Sequence, residues 1–317
     1  MTAAYCPRIK KGRFRSVCYW LAMSLLLLCA GCSDEKASHT VDLTNRVANE
    51  LLQQNNPNPT LSFGIGSMIM PREGYQYYKR LIQYVGNRMG EKIKIVDRGT
   101  YDEINRLLED QKLDIAFVCG GPYVEGRKQF GLKLLALPEV EQGPIYFSYL
   151  IVPADSPARK LEDLRGKVFA FTDPKSNSGM IVPNYWLAQI GETPENFFGK
   201  TIFTYAHDAS IQAVIEKVVD GAAVDSLIWD YLNSINPEVA VKTRIIKKSR
   251  PFGIPPLVVR PDLPESTQSK IREILFNMHK DPEGKEILDK MMINRFVPGE
   301  DSDYDSIRAM KAFVEKQ

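Results

Sequence analysis

Three consecutive residues able to donate hydrogen bonds, Ser176, Asn177 and Ser178, lie in a segment that reads Asp-Pro-Lys-Ser-Asn-Ser-Gly over residues 173–179. An apolar strand-like run precedes the segment and a run with helical spacing follows it, so the pattern predicts a strand, a tight loop and a helix. The start of a helix leaves backbone N–H groups without partners and carries positive partial charge, which together with hydroxyls can bind an anion. The same residue types also cap helices, and on the motif alone capping is the more frequent role.

Cysteine and histidine offer little metal or nucleophile chemistry in this chain. The histidines (His39, His207 and His279) include no HxxxH pair, and the cysteine spacing offers no zinc site. We also find no nucleophile elbow, Walker loop or HExxH motif. We therefore expect no cofactor, no metal and no catalysis.

The first 31 residues have the layout of an export signal. Five basic residues precede an apolar run over residues 17–29, which is short for a membrane span and fits a signal peptide. The run ends in Leu28-Cys29-Ala30-Gly31-Cys32, which resembles the lipobox of bacterial lipoproteins, in which the last cysteine carries lipid. We expect a signal peptide over residues 1–31, lipid on Cys32 and a tether over 32–59. The alternatives are a cleaved, secreted protein and a retained N-terminal anchor.

The composition is that of an ordinary globular protein, with 44% apolar and 25% charged residues among 317. Without the first 31 residues, 36 basic residues face 39 acidic ones, so the exported part has no basic excess to recruit nucleic acid. Cys119 is then the one cysteine besides Cys32, and the fold must rest on its apolar core rather than on disulfides. Cys119 follows an apolar strand-like run, where a buried, inert thiol is more frequent than a nucleophile.

Strand-like and helical patterns alternate along the exported part in two series. This alternation, without tandem repeats, predicts an α/β fold with a parallel, doubly wound sheet. In such sheets ligands bind beyond the carboxyl ends of the strands, where the loops lie. The predicted strands lie at residues 61–65, 92–96 and 114–118 in the first series, and at 167–171, 201–205 and 222–224 in the second.

Two extended crossings, near residues 147–153 and 250–258, flank the second series. A pair of connecting strands makes a hinge that bends while each lobe stays rigid. We therefore predict one lobe from residues 60–150 together with 252–317, and a second lobe from residues 151–251. A small ligand would bind in the cleft between them.

Several short motifs occur in a particular order along the chain. They are Gly120-Gly121-Pro122-Tyr123, residues 161–167, residues 173–179, Ala206-His207-Asp208, residues 221–225 and Ile254-Pro255-Pro256. This ordered set resembles the phosphate/phosphite/phosphonate-type substrate-binding proteins of bacterial ABC importers, and the likeness covers residues 61–292. It implies the two-lobed, Venus-flytrap fold of type II periplasmic binding proteins with two hinge crossings.

The resemblance also implies a set of ligand contacts. In the family a Ser-Thr-Ser-Gly loop binds ligand oxygens, and Asn177 stands here in place of threonine, which keeps a hydrogen-bond donor but changes its reach. Tyr123 could instead pack its ring at a helix start, and His207 and Asp225 could cap helices. The implied contacts are Ser176, Asn177, Ser178 and Gly179 in the loop, and Tyr75, Tyr123, His207 and Asp225 elsewhere.

Asp225 would give the site a way to select its anion. A carboxylate repels an anion unless the anion still carries a proton that the carboxylate can accept. Phosphate, phosphite and phosphonate monoanions carry such an O–H group, whereas sulfate at neutral pH does not. A wrong anion would leave a buried charge unpaired, so this one residue could discriminate between them.

The expected function is that of an extracytoplasmic, lipid-tethered receptor. We expect a monomer that captures a small phosphorus oxyanion by closing its hinge and delivers it to an ABC permease and ATPase. Its contact with the membrane would run through the lipid on Cys32. The alternatives are a receptor for a membrane sensor kinase, a binder of a sulfonate or a larger organic phosphonate, and an enzyme that uses Cys119, His207 and Asp225.

Overall fold

The structure, a computed structural model, describes residues 61–66 and 72–316. The predicted signal peptide, the tether and Cys32 lie outside the described residues. Among the helices of the described residues, none has the length and apolar character that crossing a bilayer requires.

The first of two large sheets contains the parallel strands that the first series of patterns predicts. Strand β1 pairs in parallel with β2 and β3, and β12 and β13 add antiparallel neighbours beside β4. The order across the sheet is β13-β4-β12-β3-β1-β2. The strands are β1 (Leu61–Ile65), β2 (Ile93–Asp97), β3 (Ile115–Phe117), β4 (Lys133–Glu139), β12 (Leu257–Val259) and β13 (Arg295–Val297).

Helices connect the parallel strands of this sheet and set the direction of the loops at its edge. Helix α1 (Arg72–Met89) joins β1 to β2, α2 (Tyr101–Glu109) joins β2 to β3, and α3 (Gly120–Phe130) joins β3 to β4. Thr100 caps α2 by accepting a hydrogen bond from the Glu103 backbone N–H, in a capping box. The first residues of α2 and α3 therefore lie at the carboxyl ends of β2 and β3, the two parallel strands on either side of β1.

The second sheet contains the strands of the second series. Strand β7 pairs in parallel with β8 and β9, while β6 runs antiparallel to β9 and β10 runs antiparallel to β6. The order is β10-β6-β9-β7-β8. The strands are β6 (Ser148–Pro153), β7 (Val168–Phe171), β8 (Lys200–Phe203), β9 (Gly221–Asp225) and β10 (Thr243–Lys248).

The chain passes between the two sheets at two segments that pair with each other. Strand β5 (Ile145–Tyr146) and strand β11 (Phe252–Gly253) form a short antiparallel ladder. The expected crossing at residues 147–153 was placed too late, because most of that apolar run is β6 of the second sheet. The run is apolar apart from Ser148, so its composition gives no clear sign of where the crossing ends. The division into two lobes that move about these segments stays a prediction.

The remaining helices cover both sheets, and one apolar cluster includes residues from both sheets' sides. Buried residues of the first sheet's side, such as Val118 and Ile307, belong to the same cluster as Phe169 and Trp186 of the second sheet's side. The last helix packs against the helix that follows β7. The helices are α4 (Val182–Ala188), α5 (Pro194–Phe197), α6 (His207–Ile215), α7 (Ser226–Ile235), α8 (Glu238–Lys242), α9 (Glu265–Asn277), α10 (Pro282–Lys290) and α11 (Asp305–Val314).

Candidate ligand-binding site

The loop over residues 173–179 follows β7, as the sequence predicts, and leads into a wide, π-type turn over Asn177–Ile181 that continues as α4. Ser176 is the cap of this turn, because its Oγ accepts a hydrogen bond from the Gly179 N–H at 3.0 Å. This bond uses one lone pair of the hydroxyl oxygen and leaves its O–H free to donate. The capping role and a ligand-binding role are therefore compatible in Ser176.

The Ser-Asn-Ser part of the loop is completely buried, with Ser176, Asn177 and Ser178 each at 0% exposure. The Ser178 carbonyl accepts a hydrogen bond from Ser148 Oγ of β6 at 2.7 Å. Asn177 Nδ2 donates to the Tyr146 hydroxyl at 2.8 Å, in the crossing segment β5. These bonds account for the Asn177 amide nitrogen and the Ser178 carbonyl, but not for Asn177 Oδ1 or Ser178 Oγ.

Gly179 is the position where the loop comes closest to the second sheet. A Cβ atom there would lie 2.3 Å from Thr172 Oγ1 and 3.2 Å from His207 Cε1. Any side chain at this position would force the backbone apart, because real Cβ atoms do not come that close to their neighbours. The glycine thus allows the loop to lie directly beside the His207 ring.

His207 begins α6 and is fully buried. Its Nδ1 accepts a hydrogen bond from the Asp225 backbone N–H at 3.0 Å. Because a backbone N–H can only donate, this bond assigns the imidazole proton to Nε2. Burial lowers the pKa of His207 to about 3, so the ring is neutral at physiological pH. Nε2–H is then a hydrogen-bond donor, and it has no partner among the residues that the structure describes.

Asp225 ends β9 and caps α7, with Oδ1 accepting a hydrogen bond from the Leu227 N–H at 2.8 Å. Its second oxygen, Oδ2, is buried, and no described residue forms a hydrogen bond with it. Burial raises the pKa of the Asp225 carboxyl to about 8, so the group is mostly protonated at neutral pH in the ligand-free molecule. The capping alternative is correct for one oxygen, and the other remains available to a ligand.

Within residues 61–66 and 72–316, five buried polar atoms near this loop have no hydrogen-bond partner. Leaving a buried polar atom unpaired costs about 1–3 kcal/mol, so such a group of atoms marks a place where a polar ligand would be stabilised. The negative charge of Asp225 adds to burial in raising the pKa values of Tyr101, Cys119 and Tyr146, so all three lie within electrostatic range of its carboxyl. The atoms are Tyr101 OH, Asn177 Oδ1, Ser178 Oγ, His207 Nε2 and Asp225 Oδ2.

The expected ligand contacts did not include the residues of the first sheet's side and the crossing that complete this polar cluster. Tyr101 lies at the start of α2, and its backbone N–H donates to Asp173 Oδ2 at 3.2 Å. Cys119 lies just before α3, and its Sγ accepts a hydrogen bond from the Asn177 N–H at 3.4 Å. Both lie in loops at carboxyl ends of predicted strands, so their position was a usable signal. Tyr146 had no such signal within its apolar run.

The Tyr123 hydroxyl forms its hydrogen bond outside the polar cluster. That hydroxyl donates to Asp301 Oδ1 at 2.7 Å, and the ring packs against Tyr304 with centroids 4.6 Å apart. The side chain therefore serves the packing of α3 against the residues before α11. We correct the expected role of Tyr123 accordingly, and the candidate site omits it.

Tyr75 lies on α1, half-buried against the apolar cluster around the first sheet. The Lys79 ammonium lies 4.7 Å above its ring. Tyr78, less than one turn further along the helix, is buried, and the charge of Asp225 contributes after burial to raising its pKa. Tyr78 therefore replaces Tyr75 as the α1 residue that we associate with the site.

A cavity of about 380 Å³ lies next to the polar cluster rather than within it. Ser226 and Leu227, the two residues that follow Asp225, line it, and so does Tyr78. The other walls are largely apolar and aromatic, with Phe117, Phe147 and Tyr231 among them. Charged residues also line it, namely Glu141, Asp230, Asp289 and Lys290, and burial raises the pKa of the half-buried Asp230. Among the residues that the structure describes, no group of His, Cys, Asp and Glu could hold a metal ion.

Solved structures with this two-sheet arrangement define the class of the protein. A binding protein component of an ABC phosphonate transporter from Pseudomonas aeruginosa has a TM-score of 0.77 at 26% identity, over 82% of this chain and 88% of that one. PhnD1 from Prochlorococcus marinus in complex with methylphosphonate has a TM-score of 0.73 at 20% identity, over 81% and 98%. The chain therefore has the fold of a type II periplasmic binding protein, which confirms the predicted fold class.

Sequence comparison then identifies the family. The family model described as "ABC transporter, phosphonate, periplasmic substrate-binding protein" matches residues 63–304. The phosphonates-binding periplasmic protein of Escherichia coli (strain K12) is 29% identical over 262 residues, which cover 81% of this chain and 77% of that protein. This chain belongs to the phosphonate-type periplasmic substrate-binding proteins of ABC transporters. The predictions of the family and of a non-enzymatic role are thus confirmed, and the family implies an extracytoplasmic location.

Proposed function

We propose that this protein captures an organic phosphonate, with the phosphonate group in the polar cluster around Ser178, His207 and Asp225. The observation that carries the proposal is a set of five polar atoms at this one place that are buried and have no partner in the described part of the chain. Ser178 Oγ, Tyr101 OH and His207 Nε2 can each donate to a ligand oxygen. Hydrogen bonds to a charged group are stronger than those between neutral groups, so an oxyanion gains most from this arrangement.

The proton on Asp225 decides which anions fit. A phosphonate and Asp225 together need one shared proton, supplied either by the P–O–H of the monoanion or by the protonated carboxyl. The resulting contact is the same in both cases, an O–H···O hydrogen bond between the ligand and Oδ2. A sulfonate at neutral pH carries no proton to offer, and its oxygens accept hydrogen bonds weakly. It would bind only with Asp225 protonated, and less tightly.

The cavity beside Asp225 supports a ligand with an organic substituent. A phosphonate group in the polar cluster would direct its carbon substituent toward Ser226 and Tyr78, where the aromatic walls begin. Apolar walls with few polar groups are typical of sites that bury the body of a small organic ligand. We therefore favour organic phosphonates over phosphate and phosphite, and Asp230 makes an amine-bearing substituent acceptable.

Import is the role that the family suggests for the captured ligand. The protein would deliver the phosphonate to a membrane permease driven by an ATPase, as a monomer tethered by lipid on Cys32. The tether is supported by the lipobox-like sequence before Cys32. Metabolic labelling with a fatty acid tests it directly: wild-type protein should carry the label and Cys32→Ala should not.

Thermal melting against a ligand panel tests the proposal. A ligand that binds the folded state alone raises the melting temperature. We expect the largest rise with phenylphosphonate and 2-aminoethylphosphonate, a smaller one with methylphosphonate, and little with phosphite, phosphate or sulfate. Ser178→Ala should weaken binding about tenfold to a hundredfold, because a hydrogen bond to a charged group is worth about 1.5–3 kcal/mol.

Ser269→Ala is the matched control, since Ser269 is exposed on α9 and bonds only weakly to Glu265. Its ligand affinity should equal that of the wild type. A panel in which no phosphonate shifts the melting temperature would refute the proposed function. A panel in which phosphate or phosphite exceeds every organic phosphonate would refute the role of the cavity.

A further inference from the structure

Lys175, directly before Ser176, belongs to the ligand loop but takes no part in the polar cluster. Its Nζ lies 2.5 Å from Asp102 Oδ1 and 2.5 Å from Glu125 Oε1. Asp102 is on α2 and Glu125 is on α3, the helices that connect strands of the first sheet. The loop itself follows β7 of the second sheet. One cation of the ligand loop is therefore held by two carboxylates from the opposite sheet's side.

The three side chains are largely removed from water, with exposed fractions of 24% for Lys175, 33% for Asp102 and 18% for Glu125. Burial lowers the pKa of Lys175, but the two carboxylates outweigh this and raise it overall. Lys175 lowers the pKa of Asp102, and Lys175 with Lys311 outweighs the effect of burial on Glu125 and lowers its pKa. All three groups are charged at neutral pH. Because they are partly buried, solvent screens their attraction less than it would on an open surface.

Each of the two carboxylates also lies near one cation other than Lys175. Arg106 pairs with the second oxygen of Asp102, one helical turn away. Lys311 Nζ lies 3.6 Å from Glu125 Oε2. Loss of the Lys175 charge would leave two partly buried carboxylates facing the loop, with Arg106 and Lys311 as their remaining cationic partners. Removal of one partner from a buried ion pair is usually strongly unfavourable.

Two further contacts hold the same short segment against the first sheet's side. Asp173 Oδ2 accepts the hydrogen bond from the Tyr101 N–H, and Asp173 Oδ1 accepts one from the Lys175 N–H at 2.8 Å. The Lys175 carbonyl packs against Gly121 so closely that a Cβ there would lie 2.1 Å from it. The loop can take up this position only where α3 begins with glycine.

We propose that Lys175 is a positioning residue: its ion pairs with Asp102 and Glu125 hold the loop of Ser176 and Ser178 in the conformation that receives the ligand. The loop residues that bind the ligand, which follow β7 of the second sheet, are then ordered only while α2 and α3 of the first sheet's side lie against them. The ligand part of this inference rests on the proposed function, whereas the ordering of the loop is a property of the ligand-free protein.

Hydrogen exchange measured by mass spectrometry on the ligand-free protein tests the ordering. In Lys175→Gln, peptides covering residues 173–181 should exchange on the order of tenfold faster than in the wild type, because the opening equilibrium of the loop shifts. Lys175→Arg keeps the charge and should restore most of the protection. Lys217→Gln is the matched control, since Lys217 Nζ lies 2.6 Å from Asp155 Oδ2 in an exposed pair within the second sheet's side. Its loop peptides should match the wild type.

Calorimetric titration with methylphosphonate tests the link to binding. The dissociation constant should rise about tenfold in Lys175→Gln, a change of about 1.4 kcal/mol, and stay near the wild-type value in Lys175→Arg and Lys217→Gln. Glu125→Gln should behave like Lys175→Gln, and the double variant should be no worse than either single one, as expected for residues that act as a unit.

Three results would overturn the inference. The first is loop protection unchanged in Lys175→Gln. The second is faster exchange spread evenly over the whole chain, which would mean a loss of global stability. The third is a loose loop with unchanged affinity, which would separate loop order from binding. If the wild type binds no phosphonate, the proposed function fails, and hydrogen exchange still decides the positioning role of Lys175.

Discussion

Asp225→Asn should make the ligand-free protein increasingly stable relative to the wild type as the pH rises, although the substitution damages the proposed site. Burial raises the pKa of Asp225 from its ordinary value of 3.8 to about 8 in the folded protein. As the pH rises from about 4 toward 8, the unfolded chain releases the proton while the folded chain keeps it. The free energy of unfolding therefore falls by about 1.4 kcal/mol per pH unit in this window and levels off above it.

Asparagine keeps the oxygen that caps α7 and removes the titration. Its buried amide has its own cost, but that cost does not change with pH. The difference in unfolding free energy between Asp225→Asn and wild type should therefore grow in favour of the variant by roughly 3 to 4 kcal/mol from pH 5 to pH 8. Because this comparison follows a change with pH, every other titrating group cancels.

Urea unfolding at a series of pH values measures this difference. Asp155→Asn is the control, since Asp155 is exposed and its pKa is lowered by Lys217, so it should show no such change between pH 5 and 8. Parallel curves for Asp225→Asn and wild type would refute the claim that the buried carboxyl is held protonated, and with it the shared-proton account of anion selection.

Three further predictions follow from single residues. Tyr123→Phe should lose about 1–2 kcal/mol of stability through its bond to Asp301, yet bind phosphonate as the wild type does in calorimetry. Cys119→Ala should lower the free energy of unfolding, measured in urea, by about 1–3 kcal/mol, because the Asn177 N–H loses its partner. Phosphonate binding should persist in this variant. Abolished binding would favour a chemical role for the thiol. Phosphonate affinity, measured by titration across pH, should fall about tenfold per pH unit above about pH 8 as Asp225 ionises, and a flat profile would contradict this.

The order of strands and helices could be predicted from sequence because each strand is short, apolar and bounded by turn residues. The predicted run at residues 167–171 corresponds to β7, and the Ser-Asn-Ser loop follows it where expected. Local signals of this kind also placed His207 and Asp225 after their strands. These positions depend on residues close in sequence, which is why the pattern was sufficient.

The parts that failed depend on distant residues or on helical register. The hydroxyl of Tyr123 bonds to Asp301, 178 positions away, and nothing near Tyr123 in the sequence signals that partner. Tyr75 and Tyr78 are three residues apart on α1 and lie on nearly the same face, so spacing alone did not decide between them. The raised pKa of Asp225 results from tertiary burial, which a single sequence does not specify.

Calorimetric titration of the wild type and Asp225→Asn with methylphosphonate and methanesulfonate tests the central claim most directly. The two ligands have nearly the same shape, but only the phosphonate carries an O–H group of its own, and its oxygens accept the Asp225 proton more strongly than sulfonate oxygens do. We predict that the wild type binds methylphosphonate at least a hundredfold more tightly than methanesulfonate, and that Asp225→Asn loses most of this preference. Equal affinity of the wild type for both ligands, or an unchanged preference in the variant, would contradict the account.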